Sequence, residues 1–192
     1  MISGHRVYPD RAALFRGLDN MIAKEYVFGG ARGVDSDALE YLSRTQPRSI
    51  KTVVVPNRVI NQPASAQSII RLKADHVIEL KNTGADRFMV RNRFMVDRSN
   101  QLGAFYDYRG HGGTYNTIQY ARSKGMPVSI YPMIETDVSK LHNLSETDFR
   151  NWIGTVRSSG SPLSAAKGII MGFFRKTQGY IPPDIVNIFA NW

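Results

Sequence analysis

The stretch richest in chemistry is Phe28-Gly29-Gly30-Ala31-Arg32-Gly33-Val34-Asp35, a glycine-rich turn between an apolar run and a helical pattern. Glycines let the chain turn tightly and let backbone N–H groups approach a ligand with no Cβ in the way. A helix opening after Gly33 adds the partial positive charge of its N-terminus, and Arg32 adds a full one. These are the ingredients of a phosphate site. The spacing is neither that of a dinucleotide fingerprint nor that of a P-loop, since no Gly-Lys-Ser/Thr follows. Composition alone equally allows a structural strand-to-helix turn.

Two further stretches have related chemistry. Arg87, Arg91, Arg93 and Arg98 surround Asn92 on a predicted helix that also carries Phe88, Met89, Phe94, Met95 and Val96. Arg87, Arg91 and Arg98 fall on similar helical azimuths, and a guanidinium grips phosphate through paired hydrogen bonds. The same pattern also fits a solvated basic face balanced by Asp86 and Asp97. Tyr108-Arg109-Gly110-His111-Gly112-Gly113-Thr114 follows a predicted strand and precedes a helix. Its Gly112, Gly113 and Thr114 offer backbone N–H groups and a hydroxyl to an anion. Tyr106, Tyr108 and Tyr115 beside it suit either base stacking or ordinary packing. A lone His111 in such a loop reads as a surface residue more readily than as an acid–base catalyst.

The elements that position these stretches alternate along the chain. Strands are predicted at Met1–Ser3, Tyr26–Phe28, Lys51–Val55, His76–Leu80, Leu102–Tyr106 and Pro127–Tyr131. Helices are predicted between them, over residues 10–24, 34–43, 66–73, 86–99 and 114–124. Apolar strands separated by helices describe a mostly parallel sheet covered on both faces, an α/β Rossmann-like three-layer sandwich. In such sheets ligands bind beyond the carboxyl ends of the strands, so three loops that each follow a strand should converge on one edge. After about Thr136 the alternation stops. Residues 145–157 and 162–176 read as helices, Ser145 and Ser161-Pro162 as their starts, and Ser158 to Ser161 as the loop between them. The chain therefore divides into a Rossmann-like domain, 1–135, and a helical C-terminal extension, 136–192, expected to pack on it because some fifty residues make a poor core alone.

Bulk composition narrows the classes. The chain has 192 residues, 42% hydrophobic content and a formal net charge of +9, which favours anionic partners. With no cysteine, there is no disulfide, thiolate metal site or cysteine nucleophile. The four histidines, His5, His76, His111 and His142, lack metal-ligand spacing. No metal or other cofactor is called for. Neither a signal-peptide pattern nor an apolar run of membrane-spanning length occurs, which predicts a cytoplasmic protein with no membrane partner.

Taken together, the motifs resemble the SLOG superfamily of Rossmann-like proteins, closest to its DprA/Smf and YspA-like families. Ser3-Gly4-His5-Arg6 resembles the motif that ends the first strand there. Gly29-Gly30-Ala31-Arg32-Gly33-Val34-Asp35 is similar to the Gly-Gly-Ala-Arg-Gly-Ile-Asp loop, and Arg91-Asn92-Arg93 to the Arg-Asn-Arg helix start. Gly112-Gly113-Thr114 with Ile118, Ala121 and Gly125-Met126-Pro127-Val128 matches the loop, helix and last strand. The resemblance runs from the N-terminus to about Tyr131. It implies a positively charged pocket built by these loops, which in DprA-type proteins binds single-stranded DNA and in other members senses or processes nucleotide-derived ligands.

Three functions are therefore weighed. The first is binding of a phosphate-bearing, nucleotide-derived ligand, with Arg32, Arg91 and Arg93 neutralising its charge and with a homo-oligomer allowed. The second is DprA-like binding of single-stranded DNA in DNA processing. The third is hydrolysis of an N-glycosidic or phosphate bond, for which Asp35 and Asp37 are the nearby acids, although Asp35 reads better as a helix cap. The resemblance argues against a phosphoribohydrolase. Gln119 stands where those enzymes carry a glutamate, Arg98 aligns with one of their arginines, and an amide removes the charge needed against an oxocarbenium-like transition state. No residue is assigned a catalytic role.

Overall fold

A computed structural model describes residues 1–108, 111–135, 138–159, 161 and 163–192. The expectations placed on Arg109, Gly110, Thr136, Gly160 and Pro162 lie outside these. The chain forms two compact units, one of residues 1–106 and 110–133, the other of 134–192 with 107–109.

The first unit is the α/β sandwich. Its strands are β1 (Ile2–Gly4), β2 (Glu25–Phe28), β3 (Ile50–Val55), β4 (His76–Glu79), β5 (Leu102–Tyr106) and β6 (Val128–Pro132). Its helices are α1 (Arg11–Asp19), α2 (Val34–Thr45), α3 (Ala64–Lys73), α4 (Arg87–Asp97) and α5 (Gly113–Ser123). All strand pairs are parallel. One three-stranded sheet has the order β1-β5-β6, with Ile2 opposite Gly103 and Phe105 opposite Tyr131, and the other has the order β2-β3-β4, with Phe28 opposite Val53. The sheets meet where β1 runs beside β2 without a ladder of hydrogen bonds. Across that seam the chain first winds outward through β2, β3 and β4, and α4 then returns it to β5 on the other side of β1. The carboxyl ends of the strands around this reversal are where an open α/β sheet leaves a crevice.

Strand periodicity explains the two covering layers. Phe28, Val53 and Val55 point into a cluster with Leu14 and Leu18 of α1, Leu39 and Leu42 of α2 and Ile70 of α3. The alternate residues Val27 and Val54 pack with Met95 of α4 on the opposite face. Because both faces are covered there, residues 26–28 of β2 and 53–55 of β3 form unbroken apolar runs. α1 starts where Asp10 accepts a hydrogen bond from the Ala13 N–H at 3.0 Å. It ends at Asp19, well before the residue 24 expected from periodicity, because the chain must turn at Asn20 to enter β2.

The second unit is helical: α6 (Val138–Leu141), α7 (Glu146–Ser158), α8 (Leu163–Gln178) and α9 (Pro183–Ala190). Ser145 caps α7 as its sequence suggests, accepting from the Asp148 N–H at 3.1 Å. α6 and α9 were not anticipated. Pro182-Pro183 at the start of α9 is a helix-opening signal that periodicity alone passes over. The unit encloses an apolar cluster of its own, in which the Phe149 and Phe173 rings stack at 3.8 Å and Phe174 meets both edge-on. Trp152 Nε1 donates to the Glu135 carbonyl at 2.7 Å, and Trp192 Nε1 to that of Ser161 at 2.7 Å. Among the described residues, no helix is long and apolar enough to cross a membrane.

A polar clamp joins β2, β3 and the end of α4. Glu25 accepts from Thr52 Oγ1 at 2.6 Å and from Arg98 at 2.8 Å. These bonds, the Thr52 one foremost, hold its carboxyl below the ordinary value of 4.5. A depressed carboxylate stabilises the fold above the unfolded value and loses that contribution as pH falls through it. Glu25→Gln should therefore lower the denaturation midpoint near neutral pH, with the gap to the parent narrowing as the pH is taken from about 6 to about 3. Urea titrations at several pH values measure that gap.

Candidate functional site

The site is built on the turn from β2 into α2. Gly33 caps α2 with φ +81°, and a Cβ there would collide with the Arg6 carbonyl, so the end of β1 and the start of α2 interlock. The Val34 N–H donates to the His5 carbonyl at 3.1 Å and completes that joint. Asp35 does not cap the helix, contrary to the sequence expectation. Gly33 occupies the capping position, and the buried Asp35 carboxylate instead accepts from the Ala31 N–H at 3.1 Å, inside the glycine turn.

Arg91 reaches this turn from α4, across the end of β2. Its guanidinium donates to the Gly29 carbonyl and stands near Asp35. Burial pushes the Asp35 carboxyl up from its ordinary range, while Arg91 and the N–H groups of Ala31 and Gly29 oppose that rise. Burial likewise pulls Arg91 down, with Asp35 opposing; a group that starts so far above neutrality stays charged. Arg91 is only 7% exposed, yet its Nε has no hydrogen-bond partner among the described residues. A buried charged donor left without a partner is costly.

Above Arg91 opens a cleft of about 560 Å³ at the ends of the strands. Four arginines line it, Arg6, Arg32, Arg87 and Arg91, with the amides Asn57 and Asn61, and no aspartate or glutamate does. None of the four is ion-paired to a carboxylate among the described residues. Arg11, Arg98 and Arg150 elsewhere are so paired. Arg87 also donates to the Gly84 carbonyl at 3.1 Å, and the Arg6 and Arg87 guanidinium carbons lie 5.3 and 4.7 Å from the centre of the Phe88 ring.

The residues expected to form one pocket fall in three settings. Arg6, Ala31, Arg32 and Arg91 line the cleft, and Gly29, Gly30, Gly33 and Asp35 shape its floor. Asn92, Arg93 and Gly113 line a second recess of about 590 Å³ between α4 and α5, together with Gln119. Asn92 Nδ2 donates to Thr117 Oγ1 at 2.9 Å, and Arg93 sits 5.4 Å from the Tyr120 ring centre. The remaining residues line neither opening. Ser3 and Gly4 lie in β1, where a side chain on Gly4 would strike Val34; His5 stacks on the buried Tyr106 at 5.6 Å; Gly112 caps α5 with φ +94°, and Thr114 is buried in that helix. Arg98 does not share the setting of Arg87 and Arg91 despite its azimuth, because Glu25 holds it. Asn57 and Asn61 were missed, although Pro56-Asn57 directly follows β3 and strand ends are where ligands bind.

Chemically the cleft suits an anion. Among the described residues, no group of three or more histidine, aspartate or glutamate side chains is placed to hold a metal ion. Fold and site together define a Rossmann-like α/β protein with an arginine-lined cleft at its strand ends. No protein-family model matches the sequence, and no curated protein matches it.

The close approach of Arg91 makes Gly29 a sensitive position. A Cβ there would overlap the guanidinium and stand 2.8 Å from an Asp35 carboxylate oxygen. Gly29→Ala should cost about 1–3 kcal/mol of stability, as overpacking of a filled site does. Gly154→Ala, on an exposed helical position where nothing stands within 4 Å, should stabilise by up to ~1 kcal/mol. Chemical denaturation of both variants checks the contrast.

Proposed function

We propose that this protein binds a nucleotide-derived ligand, whose phosphates enter the arginine cleft, as a member of the SLOG superfamily nearest to its DprA/Smf and YspA-like families. The observation that carries the reading is Arg91: a buried guanidinium with an uncommitted Nε at the floor of a cleft walled by three more arginines and no carboxylate. A phosphate oxygen would supply the missing acceptor, and its negative charge would relieve the mutual repulsion of four cations. The volume of about 560 Å³ lies within the range of ordinary ligand pockets.

Binding accounts for the polar groups better than hydrolysis does. Asp35, the acid nearest the cleft, accepts from the Ala31 N–H and faces Arg91, so both its position and its charge serve the turn. Asp37 faces away from such a role, since it accepts from Tyr8 and Arg11. Gln119 lies on the second recess.

Isothermal titration with inorganic pyrophosphate and with a nucleoside diphosphate tests the reading. The parent protein should bind both saturably. Arg32→Ala, at an exposed position, should weaken each by about 1–3 kcal/mol without changing thermal stability. A fall in stability with unchanged affinity would make Arg32 structural. Absence of saturable binding by the parent, combined with an oligonucleotide affinity that falls steeply with salt, would replace the nucleotide reading by the single-stranded DNA one.

A further inference from the structure

The cleft and the recess between α4 and α5 share one residue, Phe88. With Met89 beside it, Phe88 leaves a large apolar side chain in solvent on α4, at 38% and 44% exposure respectively. Exposed apolar surface rimmed by polar groups marks a binding surface more often than an idle one. The recess differs from the cleft in charge: Asp86 and Arg93 both line it, whereas four arginines and, among the described residues, no acid line the cleft. Phosphates are therefore drawn more strongly to the cleft side of Phe88.

The recess also offers amides. Asn116 and Gln119 make no side-chain hydrogen bond among the described residues, and Asn92 commits only its Nδ2, to Thr117. An amide presents both a donor and an acceptor, which is what the edge of a nucleobase requires, and bases stack on aromatic rings and on guanidinium planes. Phe88 supplies such a ring at the junction, and the exposed Arg93, which no carboxylate pairs among the described residues, supplies such a plane further along α4.

We infer that the α4–α5 recess is the base subsite of the nucleotide whose phosphates occupy the arginine cleft, with Phe88 as the platform between the two. The inference rests on the phosphate reading of the cleft and assigns the part of the ligand that the cleft does not hold. Asn92, Asn116 and Gln119 then read the base edge and set which base is preferred.

The experiment compares inorganic pyrophosphate with a nucleoside diphosphate in calorimetric titrations of the parent and of Asn116→Trp. That variant fills the recess from an exposed position on α5, and a thermal melt matching the parent shows that it folds. The parent should bind the nucleoside diphosphate about tenfold more tightly than pyrophosphate. In Asn116→Trp that advantage should vanish while pyrophosphate affinity stays the same. If pyrophosphate still binds but Asn116→Trp leaves nucleoside diphosphate affinity unchanged, the base lies elsewhere and the inference falls, with the phosphate reading intact. If the variant instead dissociates a dimer at unchanged nucleotide affinity, the recess belongs to a second copy of the chain and the inference also falls. Failure of pyrophosphate to bind the parent overturns the phosphate reading itself.

Discussion

Arg91 holds a full charge in a place from which water is nearly excluded, and much of the first unit is arranged around that fact. A buried guanidinium is tolerated only where its donors find acceptors and its charge finds an opposite one. The Gly29 carbonyl supplies an acceptor, and Asp35 the opposite charge. Each imposes a condition in turn. Residue 29 must lack a side chain, because a Cβ would occupy the guanidinium's place. Asp35 must face inward rather than cap α2, which leaves Gly33 with its positive φ to begin the helix. One long side chain from α4 thus ties the layer behind the sheet to the loop and helix in front of it.

That arrangement is incomplete in a way that points outward. Among the described residues the Arg91 Nε lacks a partner, and although Asp35 opposes the guanidinium from within the turn, the charged groups beside it in the cleft are cations. Stability alone gives no reason to gather Arg6, Arg32, Arg87 and Arg91 around one opening, since like charges repel and a structural arginine is ordinarily matched by a carboxylate. Arg98 illustrates the alternative: on the same stretch of sequence, it is matched by Glu25 and belongs to the fold. Arg98 is paired at the surface with Glu25, whereas the buried Arg91 is opposed by Asp35 and keeps an Nε without a partner among the described residues.

The amino-acid sequence makes the alternation of strands and helices legible because the later residues of β2 and β3 and all of β5 are buried on both faces and apolar, while α1 to α5 bury one stripe. The glycine turn is legible for a similar reason: Gly29 and Gly33 answer local steric demands that no other residue meets. Asp35 was not legible. An acid near a helix start is ordinarily a cap, and only the distant Arg91 makes an inward orientation favourable. Helical azimuth placed Arg98 with Arg87 and Arg91, but the azimuth of a residue says nothing about a partner, and Glu25 lies on a strand far earlier in the chain. Asn57 and Asn61 escaped notice because no motif marks them; their place at the cleft follows from where β3 ends.

Charge has two scales in this protein. Overall, an excess of nine positive charges draws anions from a distance, an effect that salt weakens and that carries no selectivity. Locally, the cleft sets four guanidinium groups around one opening, and a guanidinium's paired donors match phosphate or carboxylate better than a simple counterion. Beside it the α4–α5 recess is lined by amides, Met89, and one acid and one guanidinium, Asp86 and Arg93, so its net attraction for an anion is weaker and its selectivity comes through shape and hydrogen bonding. A ligand that satisfied both would need a polyanionic end and a planar, hydrogen-bonding end held rigidly apart. The change in lining across the one residue Phe88 is what would give such a ligand a single orientation, since reversing it would exchange four guanidinium groups for Arg93 beside Asp86 and leave the Arg91 Nε unmet.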